Sequence, residues 1–403
     1  QRLENRHLWY VCHFDFDGDP AGYKFMFEGV DTFAEYYLNG QKLGESANML
    51  IEQELAATYL KQGENELMVH IRPTEIESRS HEKCMGRKNH HGSNTVRKSP
   101  SMFGWDIMPR IISGGIWKSV YLYKIQGDYI KKIRTFRNNY TIPSYGELYY
   151  ELNIDNDFLG DYRLEIHGCC GDSVFHQMRK IPAVSGTLYG ITIEDIKLWW
   201  PHTMGEPNLY DFTYTLWRGD EAVDVYKERV GFRTVELKRT DVMDENGNGE
   251  FKFYINGEPF FAMGTNWVPL SPYPSQFLEK LPKAMEMVKE SGCNIIRCWG
   301  GNVYESERFY DLCDKYGIMV WQDFAMACAL YPETDEFMQN MKNEVIQRYI
   351  QGDTLIIVSS VRDICEEIAK KQFYIILGVL ASLLITTAFR LVPLALFRLR
   401  IAN

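Results

Sequence analysis

The 403 residues carry a formal net charge of −10, with 45% hydrophobic, 24% charged and 14% aromatic residues. That length supports about two or three domains with ample core, and the acidic balance without a basic aromatic patch excludes a nucleic-acid surface. The nine cysteines are scattered without paired spacing, which excludes a disulfide framework and favours a reducing, cytoplasmic setting.

The chain opens without Met, directly in strand-like sequence and with no signal peptide in view, so part of the N-terminus is expected to be missing. Residues 1–124 read as strands: Phe14 and Phe16, Tyr23 to Phe27, then Ala34-Glu35-Tyr36-Tyr37-Leu38 before an Asn39-Gly40 hairpin turn. Gly63-Glu64-Asn65 is expected to turn before Glu66 to Ile71. With no long helical pattern, an antiparallel sandwich follows. From Ser78 to Ser101 the sequence is polar and basic and reads as a solvated loop. His81, Cys84, His90 and His91 are zinc-type ligands, but only His81 and Cys84 approach a paired spacing, so no metal is expected. The loop delivers Met102-Phe103-Gly104-Trp105-Asp106, and Gly114 to Trp117 and Val120 to Leu122 return to strand.

Residues 125–236 form a second β-rich stretch. Leu148, Tyr150, Leu152 and Ile154 alternate as in a strand. Leu198-Trp199-Trp200-Pro201 and Asn208-Leu209-Tyr210 bound a loop, and Tyr214 to Leu216 and Arg229 to Arg233 close the region. Asn139-Tyr140-Thr141 is a glycosylation sequon of the kind common by chance. Asp244 to Gly249 imitates a calcium loop. Ile255 stands where calcium needs a bidentate carboxylate, so a hairpin turn is expected there, with Asn256-Gly257 as the next.

From Phe260 to Phe324 the period changes. Short β-like runs, Phe261 to Gly264, Asn294 to Cys298 and Ile318 to Trp321, alternate with helical faces made by Leu281, Met285 and Val288 and by Phe309, Leu312, Cys313 and Tyr316. Gly292 and Gly317 stand where a helix ends in a left-handed residue. Alternation of this kind implies parallel strands. The runs finish in Thr265-Asn266-Trp267, Trp299-Gly300-Gly301 and Gln322-Asp323-Phe324. Aromatic faces beside amides and carboxylates suit a sugar, although Trp299 and Trp321 also read as core residues.

Gly264 to Pro269, Arg297-Cys298-Trp299-Gly300-Gly301-Asn302-Val303-Tyr304-Glu305, Phe309 to Asp314 and Trp321-Gln322-Asp323-Phe324 together resemble the start of the catalytic barrel of a glycoside hydrolase family two β-mannosidase. The resemblance runs upstream over most of the chain, through Phe27 to Thr32, and fades after about residue 350. It implies a jelly-roll sugar-binding domain over 1–124, an immunoglobulin-like sandwich over 125–236 acting as a spacer, and the first part of a TIM barrel over 237–350. It also implies a β-mannoside glycan as partner; separately from the resemblance, no cofactor and no metal are expected. Asp106 would bind sugar hydroxyls from the first domain, where the residue type by itself reads equally as a turn aspartate. Trp299 and Asp323 would complete the wall, with Asn266 and Trp267 beside them. Ile107-Met108-Pro109 departs from the family's usual Trp-Gly-Pro after this aspartate, so the loop is expected to differ locally.

Retaining hydrolysis needs two carboxyl groups across the scissile bond, and neither of the family's glutamate motifs is found. Phe337, Met341, Val345 and Tyr349 share a helical face before a fourth strand-like run, Thr354 to Val358. Asp363 falls where the acid/base would lie, without its flanking asparagine. The 351–403 tail then turns apolar. Phe373 to Phe389 is uncharged, and as a helix it would span roughly 26 Å against a ~30 Å hydrocarbon core. Residues 373–397 read either as a membrane helix or as a buried one. The expectation is the front part of a hydrolase, inactive as written. The alternative is a non-catalytic carbohydrate-binding or structural fragment held at a membrane by its tail.

Overall fold

The computed structural model describes residues 3–81, 91–125, 127–139, 144–154, 160–240, 245, 249–327, 329, 331–351 and 355–356. Its architecture is multidomain and β-rich. One sheet orders the strands Leu8–Phe16, Gly63–Arg72, Phe33–Leu38 and Gln41–Ala47; a second orders Gln53–Ala56, Lys24–Phe27 and Val120–Tyr123. Alternation along these strands sends Tyr36, Leu38, Leu67, Val69 and Ile71 from the first sheet against Phe25 and Phe27 from the second. Burying each such side chain is worth about 1.5–3 kcal/mol, and their shared cluster holds the two sheets face to face. Asn39 and Gly40 both take positive φ, 52° and 78°, as the tight hairpin requires. The turn expected at Gly63-Glu64-Asn65 is instead the start of a strand, paired with Phe16, Asp15 and Phe14. The Asn65 side chain, 1% exposed, turns back to bond Lys61 and Gly63 backbone groups, so the bend falls before Gly63.

A second sandwich faces Tyr129–Asn139, Ser144–Asn153 and Gly186–Ile193 against Ser173–Ile181, Tyr162–Cys170, Tyr210–Arg218 and Glu221–Val230. Leu148, Tyr150, Leu164, Ile166, Tyr214 and Leu216 share its core. A three-stranded antiparallel sheet, Val235–Arg239, Phe251–Ile255 and Glu258–Phe260, leads out of it.

Four parallel strands follow: Gly264–Trp267, Ile295–Cys298, Met319–Gln322 and Leu355–Ile356. The helices Phe277–Glu290, Glu307–Tyr316 and Asp335–Gln351 lie between them in sequence. Ile296, Cys298, Val320 and Trp267 pack on Leu281, Met285, Phe309 and Cys313 of the first two helices. On the other face Ile295 and Met319 meet Phe253, Ile255 and Phe260 of the antiparallel sheet. Burial on both faces explains why the adjacent Ile295 and Ile296, which point to opposite faces, are both apolar. Gly317 ends its helix in the left-handed conformation, φ 68°, and Gly292 also has positive φ, 77°.

Two expectations are corrected here. The first parallel strand is Gly264–Trp267, so Phe261 to Met263 precede it and Phe261 is 80% exposed. The Asn294 side chain bonds the Met263 N–H and the Phe261 carbonyl, holding that segment just outside the ladder. The polar run to Ser101 is also no solvated loop in its second half: residues 92–100 are all buried. Arg97 is 2% exposed and Lys98 0%, because each has a buried carboxylate to meet. Cys84, His90, most of the calcium-like loop, Asp363 and residues 373–397 lie outside the described residues. Among the described residues no helix is long and apolar enough to cross a membrane, and none group as a metal site.

Candidate functional site

The C-terminal ends of the second and third parallel strands and a turn from the first sandwich meet at Trp299. The second strand ends at Cys298 and releases Trp299-Gly300-Gly301-Asn302. A Cβ on Gly301 would stand 2.0 Å from the Trp299 ring, and one on Gly300 2.3 Å from the Phe324 carbonyl. Only glycine lets this loop fold beneath its own tryptophan and close on the segment after the third strand. Trp299 is left half-buried.

Trp105 meets that ring edge-on, centroids 4.9 Å apart. Trp105 and Met108 exchange backbone hydrogen bonds of 2.9 and 3.2 Å, putting Asp106 and Ile107 at the tip of a tight turn. Asp106 is exposed and directly follows Trp105 in this turn. Arg297 links the two neighbouring strands. Its Nη1 donates to Asn266 Oδ1 at 3.0 Å, while Nη2 and Nε donate to the Asp323 carboxylate. The Asp323 carboxylate also faces the Gly300 N–H at 3.4 Å. Burial raises the Asp323 pKa, with Arg297 pulling the other way. The contacts thus run unbroken from the Asp106 turn through Trp299 and Gly300 to Asp323, Arg297 and Asn266.

Trp267 stands apart from this group. It is 5% exposed, packed with the helices, and its indole N–H donates to Glu305 Oε1 at 3.0 Å. Alternation along the strand turns Asn266 to one face and Trp267 to the other. Trp321 is partly buried and packs edge-on against Phe253 at 5.8 Å, at the margin of the cluster shared with the antiparallel sheet. Asp363 lies outside the described residues.

Two buried carboxylates escaped the sequence reading. Glu305 also accepts from Asn302 Nδ2 at 3.1 Å, and burial pushes its pKa to about 7 against the hydrogen bond from Trp267 and the charge of Lys118. Glu344, 0% exposed, accepts from Arg97, Asn48 and Tyr304. The signal available for Glu305 was its place in the Arg297 to Glu305 run. For Glu344 there was none, since its partners are about 250 positions or more away for Arg97 and Asn48.

The chain is similar to known proteins over most of this architecture. Residues 1–118 match the family described as glycosyl hydrolase 2 galactose-binding domain-like, and residues 171–233 match glycosyl hydrolases family 2. A "Probable beta-mannosidase" of Caenorhabditis elegans is 31% identical over 377 residues, covering 85% of this chain and 41% of that protein. A beta-mannosidase of Capra hircus is 30% identical over 357 residues, covering 79% and 38%. The chain therefore spans about two fifths of the length of these curated relatives. The crystal structure of a beta-D-mannosidase from Dictyoglomus thermophilum superposes with a TM-score of 0.80 at 31% identity, covering 88% of this chain and 45% of that one. A Bacteroides uniformis beta-glucuronidase, 17% identical, covers 86% of this chain and 40% of its own with a TM-score of 0.61, a likeness of fold alone.

Proposed function

The chain belongs to glycoside hydrolase family 2, and from that premise we propose that it is the front part of a β-mannosidase-like retaining hydrolase. In this reading residues 1–124 are a jelly-roll sugar-binding domain, 125–236 an immunoglobulin-like sandwich and 237–350 the first part of a (β/α)8 barrel. The substrate is a terminal β-mannoside. The observation that supports the reading is the contact of Trp105 with Trp299, which joins the turn that carries Asp106 to the loop after the second parallel strand, on the side where active sites of such barrels lie. Trp299 offers a flat face to the C–H side of a sugar ring. Asp106 accepts hydroxyl hydrogen bonds, and Asp323, fixed by Arg297 and Gly300, lines the wall with Asn266. Trp267 supports the wall from behind.

Neither described carboxylate at this site is placed as a catalytic pair. Asp323 is held by Arg297, and Asp106 sits at the tip of the Trp105–Met108 turn. The 403-residue chain is therefore expected to bind a β-mannoside weakly without turning it over. The test is calorimetric titration of β-mannobiose into the full chain and into Asp106→Asn, with nitrophenyl β-mannoside, β-galactoside and β-glucuronide assayed for release. Binding weakened at least about tenfold by the substitution supports the reading, in line with loss of a charge-assisted hydrogen bond. Equal affinity in the two proteins removes Asp106 from the site, and turnover of the galactoside or glucuronide overturns the sugar assignment.

A second reading, a non-catalytic carbohydrate-binding fragment, is favoured by the two well-packed sandwiches. Mannobiose binding that survives both Trp299→Ala and Asp106→Asn would favour it, because the ligand would then sit on a sandwich.

A further inference from the structure

Arg97 and Lys98 are adjacent, buried, and point into different parts of the molecule. Lys98 turns back into its own sandwich, where its ammonium meets the Asp31 carboxylate and donates to the Ser113 carbonyl at 2.9 Å. Arg97 turns the other way, into the parallel-sheet unit. Its Nε and Nη2 grip both oxygens of Glu344 at 2.6 and 2.7 Å, and Nη1 and Nη2 each donate to the Ala325 carbonyl at 3.2 Å. Tyr304 closes the circle. Its hydroxyl donates to Glu344 at 3.1 Å and accepts from the Ala325 N–H at 3.2 Å. Both backbone polar groups of Ala325 are thus held, and Ala325 follows Asp323 by two positions.

The chain downstream of Arg97 is pinned as well. The Ser99 hydroxyl and the Ser101 N–H both donate to the Gly301 carbonyl at 2.9 Å, directly after Trp299 and Gly300. We propose that Arg97 is a positioning residue that sets the Asp106 turn and the Asp323 strand end in one frame, so that elements distant in sequence present a single sugar-binding wall. The inference rests on the sugar-binding reading for its ligand. A buried ion pair is weak evidence of stability, since apolar replacements are often no worse. What a guanidinium adds is geometry: a planar fork fixed on a carboxylate and a carbonyl together, which an ammonium cannot reproduce.

The experiment uses the full chain with Arg97→Lys, Arg97→Gln and, as a control, Asp106→Asn. Amide hydrogen exchange and β-mannobiose titration are read on each. The expected result for Arg97→Lys is a loss of protection of about tenfold or more at Ser101 and Ala325, with the Lys24–Phe27 and Ile295–Cys298 strands unchanged, and mannobiose affinity lowered about 10- to 100-fold. Unchanged protection at Ser101 and Ala325 overturns the proposal. So does a loss spread evenly through the strands, which would mark a structural role only. Should Arg97→Gln fail to fold, Arg97→Lys keeps the charge and still decides. If mannobiose binds the unaltered chain, weakens with Asp106→Asn and ignores Arg97→Lys, the sugar reading stands and this inference falls. If the unaltered chain does not bind mannobiose, the sugar reading falls, and the exchange data alone decide whether Arg97 sets the frame.

Discussion

Glu305 is the side chain whose chemistry the fold changes most plainly. Free in an unfolded chain it ionises near the usual glutamate value of 4.5; buried behind the Trp299 loop, it does so at about 7. Between those values the folded protein holds a proton that the unfolded chain has released, so raising the pH through this window favours unfolding. The stability is intact below about pH 4.5 and lost by about pH 7, a change of roughly 3 kcal/mol. Glu305→Gln keeps the carbonyl that accepts from Trp267 and Asn302 and does not ionise. Urea unfolding of both proteins at pH 5 and pH 8 should show the variant gaining on its parent by up to roughly that amount at the higher pH. A difference that does not vary with pH would mean that Glu305 ionises normally.

The loop from Trp299 to Asn302 depends on contacts that admit no side chain. At Gly300 the obstacle is the Phe324 backbone carbonyl, which cannot swing away as a flexible side chain would. Gly300→Ala should therefore cost about 1–3 kcal/mol, the usual penalty for forced overpacking, measured as a lower urea midpoint with an unchanged slope. The same strain would move the Gly300 N–H off Asp323, so mannobiose affinity should fall with it. The helix behind the loop follows ordinary core rules. Phe309 is fully buried against Trp267, ring centroids 5.2 Å apart, and Phe309→Ala should cost about 3–5 kcal/mol. A smaller loss would mean that the gap closes by collapse.

The assembly is held by side chains that cross between its parts. On one side stand Arg97 and Glu344; on the other Arg233, 2% exposed, pairs with Asp314 at 3.2 Å and lies 4.3 Å over the Trp199 ring. Trp199 itself donates to the Asp314 carbonyl at 2.8 Å, and His202 bonds the Cys293 carbonyl at 2.9 Å. Removing Arg233 takes its guanidinium from the Trp199 ring and from Asp314, at a cost of about 2 kcal/mol. Scanning calorimetry should show one shared transition in the parent and two in Arg233→Ala, since the second sandwich keeps a separate core. A single transition shifted as a whole would show that the remaining contacts suffice to couple them.

Local pattern made much of this legible. Period-two alternation at Leu148, Tyr150 and Leu152 and the helical recurrence of Leu281, Met285 and Val288 depend only on which face of an element is wet, so they could be read before any fold was known. The same holds for the Asn39-Gly40 turn and for the run from Arg297 to Asn302, whose residue types already carry their chemistry. Other features depended on partners that no local window contains. Where the first parallel strand starts is set by its neighbour, since the ladder begins where Ile295 lies alongside, at Gly264. The direction in which Trp267 faces at its strand end is decided by packing alone. Arg97 and Lys98 read as solvated charges because burying a cation is tolerable only when a carboxylate waits for it. Asp31 and Glu344 are 67 and 247 positions away.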